Sequence, residues 1–172
     1  MPIKTTIILF LLTARLFAQQ RIDINLAYPI TGLFPSTGII SADLKYNRRL
    51  NSRGLFASIG PTFNKFNDFD KIAMHNFGID IGFNKEIEVS ASVNLYPLIN
   101  IGYTHFKYLN SKTSTGLQTQ VGFNICHTSI GHWVGLHLSY NYFLVDEFNY
   151  FPKYEIQSGN FGLFKTGIHF NL

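Results

Sequence analysis

Few residues in this chain combine types and spacing that could support covalent chemistry. His127 and Ser129 stand two apart, so on an extended strand they share one face. A serine nucleophile needs a base within reach and an acid to orient that base; the nearest downstream acids are Asp146 and Glu147. A second candidate is metal binding by Cys126, His127, His132 and His137. Zinc takes convergent nitrogen and sulfur ligands, whereas Cys126 and His127 are strand neighbours and point to opposite faces. The chain's single cysteine excludes an internal disulfide and a four-cysteine metal site. Neither constellation assembles what its chemistry requires. The expectation is no catalytic residue, no metal and no cofactor.

The elements that would position these side chains are strands. Of the 172 residues 46% are hydrophobic, 17 are Phe and 9 are Tyr, and only 14% are charged, against roughly 25% in an ordinary soluble domain. So much aromatic surface excludes a disordered chain. No run approaches the ~20 continuous apolar residues of a spanning helix. Mean hydropathy is nevertheless +0.08, high for a protein in water.

Period-two alternation recurs from residue 21 onward, as in strands with two unlike faces. Ile22, Ile24, Leu26 and Tyr28 alternate with Asp23 and Asn25; Ile40, Ala42, Leu44 and Tyr46 alternate with Ser41, Asp43 and Lys45. Phe77, Ile79, Ile81 and Phe83 oppose Asn76, Gly78, Asp80 and Gly82, and similar runs cover 55–64, 117–126, 132–144 and 160–172. Between Ile87 and Tyr103 the odd positions stay apolar without a break, so 87–107 reads as one long strand, with a split at Tyr96-Pro97-Leu98 as the other option. One strand there gives eight in all. Connectors near 29–38, 64–74, 108–116 and 145–159 are then long, and those near 51–54, 84–86 and 127–131 are short. Regular alternation of long loops and short turns is the pattern of bacterial outer-membrane barrels, whose short turns are periplasmic. The fold class is therefore all-β, an eight-stranded antiparallel transmembrane up-and-down β-barrel, with ten strands as the alternative.

The polar face is made mostly of Gly, Ser, Thr and Asn, small enough for the narrow interior of such a barrel. Asp23, Asp43, Asp80 and Glu88 share it with Lys45, Arg49 and Lys165, so an interior plug of paired charges is expected. Tyr28, Tyr46, Phe83, Tyr103, Tyr140, Tyr142 and Phe170 lie near strand ends, where aromatic girdles form. A wide diffusion pore is not expected, because side chains fill a barrel of this size.

Residues 1–18 read as a signal peptide, with Lys4 before the apolar run 7–12 and a cut after Ala18; residues 19–172 form the barrel domain. Removing the leader takes Lys4 and Arg15 and leaves 12 basic and 10 acidic groups, a net charge of +2. There is no basic face with groove-reading elements, so no nucleic-acid partner is expected.

Lys165-Thr166-Gly167-Ile168-His169-Phe170-Asn171-Leu172 resembles the β-signal of outer-membrane proteins: polar, any, Gly, any two, hydrophobic, any, hydrophobic. Leu172 stands where Phe or Trp is usual. With the leader and eight strands, the whole chain resembles small Gram-negative outer-membrane barrels of the OmpX and OmpA-barrel kind, particularly those of Bacteroidota. That resemblance implies recognition of Lys165, Gly167, Phe170 and Leu172 by the barrel-assembly machinery, residence in the cell outer membrane and contact with outer-membrane lipids. It identifies a class and no particular activity. Small outer-membrane lipid A deacylases resemble this architecture and use a His-x-Ser pair with a Glu. Here His127 is expected at a periplasmic turn, while lipid A lies in the outer leaflet. The expected role is structural or surface-interacting without catalysis, with Phe148, Tyr150, Phe151 and Tyr154 as candidate loop contacts for an unidentified ligand. A lipid-modifying enzyme, a narrow porin-like channel and a secretion accessory are the alternatives.

Overall fold

A computed structural model of the chain describes residues 20–30, 38–67, 73–108, 113–127, 134–145 and 161–172. Residues 1–18, expected to be a leader, and the aromatics Phe148, Tyr150, Phe151 and Tyr154 lie outside these residues. The described residues form nine strands: β1 (Gln20–Ile30), β2 (Gly38–Arg49), β3 (Leu55–Asn67), β4 (Ala73–Lys85), β5 (Ile87–Ser90), β6 (Val93–Tyr108), β7 (Thr113–His127), β8 (Val134–Val145) and β9 (Phe161–Asn171). Neighbouring strands pair antiparallel around the sheet, β4 pairs with β6 above the short β5, and β1 pairs with β9, so the sheet closes on itself.

The ring has eight staves because β4 and β5 are two lengths of one. Asn84 faces Leu98, and beyond a break at Glu86, Ile87 faces Leu95 in the same register. The chain reverses at Ala91-Ser92. The strand expected over 87–107 is therefore corrected: 87–90 extends the fourth stave, and the turn expected at 84–86 lies further on. The unbroken odd parity has a geometric cause. Residues facing each other across an antiparallel pair share a face. Where partner numbers sum to an even value, as for Ile79 and Tyr103, odd positions face odd positions and the pattern runs through the hairpin unchanged.

Following paired residues once around from Ile30 leads through Phe164, Tyr140, Val121, Ile99, Phe83, Ala57 and Arg48, and returns to β1 at Gln20. This ten-residue stagger tilts the staves by roughly 40° from the barrel axis. Both ends of the described sheet meet at one rim, where Ile22 and Leu172 exchange backbone hydrogen bonds of 3.0 and 2.9 Å. The β2–β3 turn lies at the same rim. Leu50 N–H donates to Leu55 O at 2.8 Å, and Asn51 Oδ1 accepts from the backbone of Arg53 and Leu55 at 3.0 and 3.2 Å. Gly54 completes the turn at a φ of 75°, in the left-handed region that side chains avoid.

The strands run past their apolar centres into polar flanks. Connectors 31–37, 68–72 and 109–112, of seven, five and four residues, are accordingly no longer as a group than 50–54 and 128–133, of five and six. The strict alternation of long and short expected from sequence is thereby corrected; only 146–160 is distinctly long.

The barrel is inside out relative to a soluble one. Ile79 and Ile81 are 55% and 56% exposed on the outer wall, while Asp80 between them is 1% exposed. Among the described residues, the outward positions between the rims are apolar apart from Thr119 and Thr166; Arg48 and Lys85 border the turn rim. Tyr140 and Phe164 pack on this wall, nearer the loop rim, with ring centroids 4.7 Å apart and planes tilted by 53°.

The placement of the reversal is testable in a Cys126→Ser background with single cysteines and a water-soluble maleimide. Ala91→Cys, in the turn, should label in the folded protein, and Asn84→Cys, inside the barrel, should stay protected until unfolding. The opposite pattern would return the turn to 84–86.

Candidate functional site

The inward positions of the staves are where polar chemistry gathers. Lys45 of β2 reaches Asp80 of β4 at 2.6 Å and donates to Gly60 O at 3.3 Å. The Gln118 amide bonds the other Asp80 oxygen and donates to Thr62 Oγ1 at 2.8 Å. Lys165 of β9 pairs with Asp43 of β2 at 3.1 Å, and Gln120 donates to the second Asp43 oxygen at 3.1 Å. Asn100 donates to Gln120 Oε1 at 2.8 Å, tying β6 to β7 beside the two ion pairs. His137 hydrogen-bonds Asn124 Oδ1 at 2.6 Å and Ser139 Oγ at 2.9 Å, and His169 bonds Asn25 Oδ1 at 2.8 Å. An ionised group in such a place is tolerable only when paired and hydrogen-bonded. These are.

Each end of this network is covered. At the turn end Arg21 pairs with Asp23 at 2.8 Å and donates to Asn84 Oδ1 at 2.7 Å. Its guanidinium lies 4.6 Å from the Phe56 ring centroid and 4.5 Å from that of Tyr96, bridging β1, β3 and β6 across the lumen. At the loop end Phe106 and Phe143 meet edge to face at 5.4 Å, and Leu163 and Val145 are buried at the same end. Between these layers a cavity of about 10 Å³ touches Asp23, Lys45, Asn100 and Gln120, at the lower limit for one water. The inward charges among the described residues are Arg21, Lys45 and Lys165 against Asp23, Asp43 and Asp80, three of each sign.

Of the charges expected inside, Asp23, Asp43, Lys45, Asp80 and Lys165 are brought together. Arg49 and Glu88 are not. Arg49 is at the turn rim, where Nε donates to Asn51 O at 3.1 Å, and Glu88 is exposed on β5. Both continue the inward parity, but their staves have by then passed the end of the lumen. Arg21 was missed. It stands two positions before Asp23 on the same face, a readable signal masked by its nearness to the expected leader.

The residues expected to form a β-signal occupy the stave that closes the ring against β1. Lys165 and Gly167 point inward and Phe170 outward, with exposed Leu172 just past the strand. A Cβ on Gly167 would sit 2.0 Å from Leu26 O, so this approach of β9 to β1 requires glycine. His127 is exposed at the turn end of β7; Ser129 and His132 lie outside the described residues. Cys126 is buried facing inward at the turn end, and His137 lies deeper in the lumen. Among the described residues there is no group of three or more His, Cys, Asp or Glu placed to hold a metal.

A closed antiparallel barrel with an apolar wall and a polar, filled lumen has the architecture of a transmembrane β-barrel. Solved structures similar to it include outer-membrane proteins. The N-terminal β-barrel domain of Pseudomonas aeruginosa OprF aligns with a TM-score of 0.53 and 11% identity, covering 90% of this chain and 98% of that one. A major outer membrane protein of Thermus thermophilus aligns at 0.54 and 10%, covering 89% and 99%. The outer membrane enzyme PagL aligns at 0.50 and 11%, covering 88% and 98%. At such identities the likeness is one of fold. No protein-family model matches the sequence, and no curated protein is recognisably similar to it.

The ion pairs yield a stability prediction. Asp80→Asn leaves the Lys45 ammonium buried without its counter-charge and should cost about 3–5 kcal/mol in urea unfolding from lipid vesicles. The double variant K45M/D80N removes both charges and should recover most of that loss. A single variant as stable as the parent would show that the pair is not buried as described.

Proposed function

We propose that this chain is an integral outer-membrane β-barrel that acts as a sealed anchor, carries its interactions on its loops and performs no catalysis. The observation that carries the reading is the pairing of an uncharged apolar wall with a lumen packed by hydrogen-bonded side chains. The wall fits hydrocarbon, where only closed sheets and helices satisfy the backbone. The filled lumen leaves no path for a diffusing solute. Residues 20 and 172 share one rim with connectors 50–54, 91–92 and 128–133, opposite the rim joined by the 15-residue connector 146–160; in outer-membrane barrels the rim opposite the longest loops is periplasmic, so 146–160 joins its strands at the exterior rim. Its aromatics Phe148, Tyr150, Phe151 and Tyr154 are the contacts we assign to a surface ligand or protein partner. The barrel-assembly machinery reads Lys165, Gly167, Phe170 and Leu172, and the wall is solvated by outer-membrane lipid.

The competing reading is a lipid-modifying enzyme built on His127 and Ser129. It places its base at the periplasmic rim, away from the outer leaflet.

The full chain should fractionate with outer membranes, shift in gel mobility on boiling, and be cut within 146–160 by protease added to intact cells. Planar-bilayer recordings should show no steady conductance steps. Recovery in a soluble fraction would overturn the membrane reading, steady conductance would make the protein a channel, and lipid deacylation abolished by Ser129→Ala would make it an enzyme.

A further inference from the structure

The outward face of the loop rim holds a feature that the anchor role does not use. Lys65 of β3 faces His75 of β4, and His75 faces Lys107 of β6. The three stand in one row across adjacent staves, about 10 Å from end to end at ordinary strand spacing. His105 lies two residues before Lys107 on the same face, opposite Phe77. All four continue the outward parity of Phe63, Phe77 and Tyr103 and stand at the edge of the apolar wall; the His75 ring lies 6.1 Å from that of Phe63.

No counter-charge meets them on this face among the described residues. Asp23, Asp43 and Asp80 point into the lumen, and Glu86 and Glu88 lie at the opposite rim. The charged ends of Lys65 and Lys107 are thus set at headgroup depth by the same register that sets the wall in hydrocarbon.

We propose that Lys65, His75, His105 and Lys107 form a binding site for the phosphate groups of membrane lipid in the leaflet around the loop rim. The inference rests on the membrane reading above. Continuity with the apolar wall decides the source of the phosphate: a lipid presents its acyl chains to the wall and its phosphate to the row together, whereas free phosphate gains only the second contact. Each basic residue near a charged lipid surface contributes about a fivefold preference.

The test uses the full chain in phosphatidylcholine bilayers containing a minority of diphosphorylated lipid A, with the lipids retained on gentle extraction counted by native mass spectrometry. The parent should retain the phosphorylated lipid over phosphatidylcholine by at least about 25-fold. Lys65→Gln with Lys107→Gln should lower that preference roughly 25-fold, while Thr119→Val with Thr166→Val, uncharged positions of the wall, should leave it unchanged. Inorganic phosphate at millimolar concentration should not displace the lipid. Equal retention of the two lipids, a preference indifferent to the Lys65 and Lys107 changes, or full displacement by inorganic phosphate would overturn the inference. Gel mobility before and after boiling checks that each variant is folded. A folded, inserted protein without lipid preference removes this inference alone; a chain that does not insert removes the membrane reading with it.

Discussion

In hydrocarbon a strand can satisfy its backbone N–H and C=O groups only on a neighbouring strand, and the last strand must return to the first. Most of the architecture follows from that closure. Going around the ring, the outward set must stay outward, so each register has to agree with the apolar parity of the two staves it joins. The sequence obeys this. Apolar positions are even in β1 and β2, odd from β3 to β7, and even again in β8 and β9. The parity changes only between β2 and β3, where Tyr46 faces Ile59, and between β7 and β8, where Val121 faces Tyr140. Two changes cancel. β9 can therefore meet β1 with Ile168 facing Leu26 and His169 facing Asn25.

Closure also fixes the size of the lumen, and the lumen fixes its contents. Eight staves staggered by ten residues leave a narrow interior, and glycine recurs where neighbouring staves approach most closely. A Cβ on Gly60 would lie 1.9 Å from Leu44 O, closer than any side chain permits. Elsewhere Asn, Gln, Ser and Thr fill the space and supply amide and hydroxyl partners to the six charges. An apolar lumen would also pack, but it would give the chain two apolar faces and no signal for which belongs to lipid. Between the rims lysine and aspartate lie on the inward face only, so a one-residue slip would push charge into hydrocarbon.

This logic made the barrel readable from sequence. Strand type, wall and most interior charges follow from the period of two, because burial in one face and lipid on the other write that period directly. The reversal at Ala91-Ser92 did not show, since an even register carries parity through a turn and no Asn-Gly or Asp-Gly pair marks it. Arg49 and Glu88 were misplaced for a related reason: parity gives a side chain's direction and says nothing of depth along the axis. The Arg21 cover needs the third dimension, because Phe56 and Tyr96 come from staves that are not sequence neighbours of β1. The aromatics of 146–160 have no such period and take their meaning from composition alone.

The two covers bear on where function can sit. Arg21 between aromatic rings at one end and the Phe106–Phe143 pair at the other keep bulk water from the ion pairs, and hydrogen bonds strengthen as the local dielectric falls. A lumen held in this way is committed to stability, because any solute passing through would have to break paired charges at about 3–5 kcal/mol for each partner left alone. The wall is equally committed, since nearly every outward position between the rims meets hydrocarbon. What remains free to vary without disturbing register or lumen is the material beyond the rims: the connectors and the charged residues that edge the wall. Binding residues in proteins concentrate on loops held by rigid scaffolds, and in this chain the scaffold leaves them little other place to be.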